Sequence, residues 1–167
     1  MIKNVAWASV FAVIASILQS TVLSNLAIYR AVPDLALCIV VYSAYVNGSM
    51  TGQLSGFFSG ILSDLLSAAP LGLNALIRTL TGALTGMLKG AFFLDFLFLP
   101  MALCAAATIL KALLMLPLHL LFTEAIPCYR FLSPTLWIEL GLNTVTAPFL
   151  FALLKRFRGL LAERGNA

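Results

Sequence analysis

Charge is scarce in this sequence. Only 10% of its 167 residues are Asp, Glu, Lys or Arg and 62% are hydrophobic, whereas a soluble domain carries about 25% charged residues. That balance excludes a soluble protein and implies one integral membrane domain, residues 1–167, ending in a short basic tail over 155–167. Histidine occurs once, at His119, so serine or cysteine catalysis would depend on that single base. Ser59, in Gly56-Phe57-Phe58-Ser59-Gly60, misses the Gly-x-Ser-Gly of a rhomboid-like protease by one residue. No paired-glutamate motif and no His/Glu metal spacing occurs. Cys38, Cys104 and Cys128 share no ligand spacing and cannot all pair, so neither a zinc site nor a disulfide framework is implied. The chain reads as a non-enzyme without cofactor or metal. Its net charge of +4 comes largely from Lys155, Arg156, Arg158 and Arg164. With so few charges elsewhere, such a tail suits an anionic lipid surface and not nucleic acid.

What is present is apolar length. Val5 to Leu23 is a run of spanning length behind Lys3, too long for the core of a cleaved signal peptide. Ala8, Ala12, Ser16 and Ser20 form a small-residue stripe on it, and Gln19 should point inward. Pro33-Asp34 opens a second helix, with the acid placed at the helix start. That helix, Ala36 to Val46, is short for a full span, and 47–51 reads as a turn. Two helices of a hairpin follow. Lys89 to Pro100, with four phenylalanines around Asp95, suits the headgroup region. Met101 to Phe122 and Thr135 to Leu154 make the fifth and sixth spans. Lys3, Lys89 and the tail then fall on one side, with Arg30 and Arg130 on the other. The positive-inside bias predicts an all-α bundle of six transmembrane helices with both termini cytoplasmic.

The hairpin is ruled by glycine. Gly52, Gly56, Gly60 and Asp64 recur every four residues on one arm, and Arg78, Gly82, Gly86 and Gly90 on the other. Four residues is about one turn, so each set is a stripe on one face. Folded about Leu71, the stripes would pair Gly52 with Gly90, Gly56 with Gly86, Gly60 with Gly82, and Asp64 with Arg78 in an ion pair. Each helical glycine costs about 1 kcal/mol relative to alanine, which close packing in lipid can offset. The alternative, in which each stripe faces a different neighbour, stays open.

Lys111 lies about ten residues inside its helix, near the bilayer centre, where an ammonium needs a partner or water. Glu139 and Asn143 on the returning helix are within reach of a long side chain. Either these three line a buried polar pocket, or Lys111 forms a structural pair or snorkels to an interface. His119 reads as a hydrogen-bonded interface residue.

An ordered set of motifs adds a family resemblance. Gln19-Ser20-Thr21 closes the first helix and Val32-Pro33-Asp34-Leu35 opens the second. Leu62-Ser63-Asp64-Leu65-Leu66-Ser67 precedes Pro70-Leu71-Gly72-Leu73-Asn74-Ala75-Leu76, and Asn143-Thr144-Val145 with Ala147-Pro148 precedes the basic tail. From about Ile17 to Arg158 the chain resembles the rod shape-determining MreD family of bacteria. On that resemblance Gln19, Pro33, Asp34, Asp64, Pro70, Leu71, Gly72, Asn143 and Pro148 are motif residues. It implies a multi-pass inner-membrane subunit of the cell-elongation machinery, in contact with lipids. Such a subunit binds MreC and, through it, connects MreB filaments with RodA and its transpeptidase, organising lateral peptidoglycan synthesis. It also implies a bundle like the S components of energy-coupling-factor transporters, and a vitamin-binding S component is the alternative function.

Overall fold

A short helix occupies the middle of the structure. The computed structural model describes residues 2–21, 31–67, 70–90, 98–121 and 134–161, and α2 (Leu35–Asn47) lies at their centre. Its 13 residues are apolar on every side, the pattern of a helix enclosed by others. Ala36 through Tyr45 are all buried. Around it stand α1 (Ile2–Thr21), α3 (Ser49–Leu66), α4 (Leu73–Met87), α5 (Phe98–Leu121) and α6 (Pro134–Arg156), each in contact with α2. A single turn, α7 (Arg158–Leu161), follows. Among the described residues the fold is therefore six helices and this turn. Asp95, Glu124, Arg130 and Cys128 lie outside the described residues, while Cys38 and Cys104 are buried free thiols.

The turn expected over 47–51 is a single residue. Gly48 has φ +104°, a conformation L side chains rarely adopt, and α3 starts at the next residue. The Gly48 N–H still donates to the Ala44 carbonyl, at 2.7 Å. Lys89 Nζ donates to the Asn47 carbonyl at 3.2 Å, placing a cation on the negative end of α2. Asn47 Nδ2 donates to the Leu161 carbonyl at 2.7 Å, and the rings of Phe11 and Phe157 lie 5.5 Å apart. The start of α1 and the residues around α7 thus meet at one end of the bundle. Exposed Lys3, Lys89, Lys155 and Arg156 gather near that end.

α3 and α4 pack backbone to backbone, but in a different register from the symmetric one. Gly52 faces Gly82, Gly56 faces the backbone of Arg78, Gly60 faces Ala75, and Gly86 faces Ser49. Gly52 was expected opposite Gly90 and meets Gly82, about two turns away. Gly90 is not in the α3–α4 interface: it lies beyond the end of α4 at φ +76°, and a Cβ added to it would meet nothing within 4 Å among the described residues.

The cause is Asp64. Its carboxylate accepts from the N–H groups of Gly72 (2.9 Å), Asn74 (3.0 Å) and Ala75 (3.3 Å), and from Asn74 Nδ2 (2.8 Å). These are the orphan donors of a helix start, so α4 begins level with Asp64 instead of at the far side of a symmetric bend. Pro70, Leu71 and Gly72 form the turn between them, with Gly72 left-handed at φ +95°. Arg78 is carried two turns deeper, level with Gly56, and the expected Asp64–Arg78 ion pair does not form. Asp64→Ala should cost about 0.5–2 kcal/mol, the range for losing a cap. Because Asp64 and Arg78 share no partner, combining it with Arg78→Ala should give close to the sum of the two losses. Rescue in the double variant, measured by thermal melting in detergent, would contradict this geometry.

The exterior is apolar. Val10, Ile14 and Leu18 on α1, Phe57 and Phe58 on α3, Leu80 and Leu84 on α4, Leu113 on α5 and Phe149 on α6 are all exposed. By length and composition three helices can cross a membrane, over Lys3–Thr21, Phe98–Leu120 and Pro134–Arg156. α2 is apolar but, at about 20 Å, shorter than a hydrocarbon layer of about 30 Å.

Candidate functional site

The ionised groups of the interior converge where α2 begins. Pro33 precedes the helix, and Asp34 caps it by accepting the Leu37 N–H on Oδ1 at 3.1 Å. Because α2 is short, this cap lies inside the bundle, and Asp34 is only 4% exposed. Lys111 of α5 donates to Asp34 Oδ2 at 2.9 Å and to Glu139 Oε1 of α6 at 2.6 Å. Arg78 of α4 approaches Asp34 Oδ1 at 3.4 Å. Two cations and two carboxylates are thereby neutralised together, as a buried charge requires.

Uncharged groups complete the network. Asn143, fully buried on α6, accepts the Asp34 N–H on Oδ1 at 2.7 Å and donates from Nδ2 to Thr108 Oγ1 at 2.9 Å. Arg78 Nη1 donates to Ser63 Oγ at 2.6 Å and to the Ser59 carbonyl at 3.3 Å. Ser63 Oγ lies 2.8 Å from Ser16 Oγ of α1. Pro148 stands within α6 one turn beyond Thr144, whose carbonyl loses its helical donor there.

Of the residues singled out in the sequence, Lys111, Glu139 and Asn143 come together, and they do so around Asp34. Arg78 joins them instead of Asp64, which is engaged at the start of α4. Asp34 was expected only as a helix opener; its place as the hub was missed, as were Thr108, Ser63 and Ser16. One signal was available: an acid directly before a 12-residue apolar run, in a helix too short to carry that acid to an interface.

Beside the network is a cavity of about 270 Å³, lined by residues of α1, α3, α4 and α5 together with Val32 and Asp34. Gln19 lines it, as do Ser16, Ser20, Ser63, Ser67, Asn74, Arg78 and Lys111. It lies at the end of the bundle opposite α7, beside the C-terminal ends of α1 and α3 and the start of α4.

The polar core inside an apolar shell fits the comparison with known families. The model of the family described as rod shape-determining protein MreD matches residues 1–157. No curated protein and no solved structure matches the chain. Since the match takes in α1 to α6 and every group of the charged network, the chain belongs to the MreD family of rod shape-determining proteins.

Proposed function

We propose that this chain is a multi-pass scaffold of the bacterial inner membrane that binds MreC. Through MreC it connects MreB with RodA and its transpeptidase, and so helps organise lateral peptidoglycan synthesis. The chain crosses the membrane six times, the second crossing completed by the residues ahead of α2, with the basic end that holds both termini in the cytoplasm. One observation carries the reading: Asp34, Arg78, Lys111 and Glu139 are ion-paired with one another inside the bundle, while exposed aliphatic and aromatic side chains surround it. A molecule built this way offers its environment helix faces for packing, which is what a single-span partner in lipid needs. Family membership in rod-shape determination favours this reading over a vitamin-binding transporter subunit.

The test is depletion together with affinity purification. Cells depleted of this chain should round up, and MreC should co-purify with the tagged protein in neutral detergent. Retained rod shape with no MreC in the eluate would sink the proposal, and tight capture of a water-soluble vitamin by the purified chain would replace it.

A further inference from the structure

The cavity at the charged network has a chemistry that the scaffold reading leaves unused. Its wall carries two buried cations, Arg78 and Lys111, against one buried carboxylate, Asp34. Glu139, which balances Lys111, does not line it. Arg78 is only 5% exposed, yet its Nε has no hydrogen-bond partner, and its Nη2 reaches Asp34 only at 3.4 Å. A guanidinium carries five N–H donors, and leaving one unmet in a buried site is unfavourable. Gln19 lines the same cavity, and its Oε1 is likewise buried without a partner.

We infer that this cavity binds one small phosphate group between Arg78 and Lys111. Arg recognises a phosphate through paired N–H donors, and Lys111 adds a compact second charge. The hydroxyl of Ser63, already on Arg78, supplies a further donor or acceptor at the wall. A volume of about 270 Å³ is far more than one water needs and just under the range of about 300–1,000 Å³ for drug-sized ligands. It suits a headgroup or a small solute. Phospholipid headgroups and soluble phosphate esters share this chemistry, so the experiment must distinguish them.

The full chain, purified in neutral detergent, is titrated with glycerol 3-phosphate and with didecanoyl phosphatidylglycerol, and adducts are counted by native mass spectrometry. Glycerol and didecanoylglycerol serve as uncharged controls. One phosphate probe should bind saturably at one equivalent, at least tenfold more tightly than its control. Binding of glycerol 3-phosphate alone would identify a soluble ligand, and of the lipid alone a headgroup. Arg78→Gln should weaken binding at least tenfold. Leu66→Trp, at an exposed apolar lining position, should do the same by filling the cavity, and it decides the matter where Arg78→Gln fails to fold. Binding of neither phosphate probe, equal binding of the controls, or full binding to Leu66→Trp would each overturn the inference. None of these results bears on MreC co-purification, so the two proposals fail separately.

Discussion

Replacing Asp34 with alanine is expected to lower stability by at least about 3–5 kcal/mol, the range for breaking a buried ion pair by removing one partner. This one carboxylate holds Lys111 at 2.9 Å, Arg78 at 3.4 Å and the Leu37 N–H at 3.1 Å. Its loss strands a guanidinium, weakens the hold on an ammonium and uncaps the central helix in one step. Glu139→Gln should do less, because Lys111 keeps Asp34. Asp34→Asn separates the contributions: asparagine caps a helix about as well as aspartate, so what it still loses is charge. Melting followed by the fluorescence of Trp7 and Trp137 should rank Asp34→Ala lowest, then Asp34→Asn, then Glu139→Gln. Adding Arg78→Met to Asp34→Asn should recover part of the loss, since the guanidinium left without an acid is removed with it while Lys111 keeps Glu139. An Asp34→Asn protein as stable as the parent would show that the network does not depend on this charge.

The elements of the fold were largely legible because they are periodic or long. An uninterrupted apolar run shows a buried or spanning helix without knowledge of its neighbours, and small residues four apart show a stripe. Lys111 and Glu139 could be brought together because consecutive helices run antiparallel and a long lysine side chain spans their difference in depth. Arg78 could not be placed that way. Its partner Asp34 is 44 residues away and that of Lys111 is 77 away, across helices whose order around the bundle no local pattern states. The hairpin register failed for a different reason. Symmetry about Leu71 assumes that both arms run to the bend and that Asp64 is free to pair. Cap chemistry competes for the same carboxylate, and three backbone N–H groups with one side-chain amide outweigh one guanidinium that has another acid available.

That register makes opposite outcomes expected at glycines of equal helix propensity. A Cβ on Gly52 would fall 2.5 Å from the Gly82 carbonyl oxygen and 2.5 Å from the Ala44 Cβ. Backbone and a buried neighbour on two sides leave it nowhere to move. Even Gly52→Ala should therefore destabilise, by about 1–3 kcal/mol for overpacking, although alanine favours the helix by up to about 1 kcal/mol. Gly82→Ala meets the Gly52 backbone in return and should behave alike. Gly52→Leu or Gly82→Leu should abolish the folded protein, because separating α3 from α4 also pulls Arg78 from Ser63 and from the Ser59 carbonyl. Gly141, inside α6, has nothing within 4 Å of a built Cβ, so Gly141→Ala should be neutral or stabilising by up to about 1 kcal/mol. Gly90→Ala meets no neighbour either and should lose only what its left-handed backbone costs, about 1–2 kcal/mol. Melting temperatures in detergent would rank these variants. A Gly90→Leu protein that collapses as Gly52→Leu does would restore the symmetric hairpin and dismantle the network that depends on its alternative.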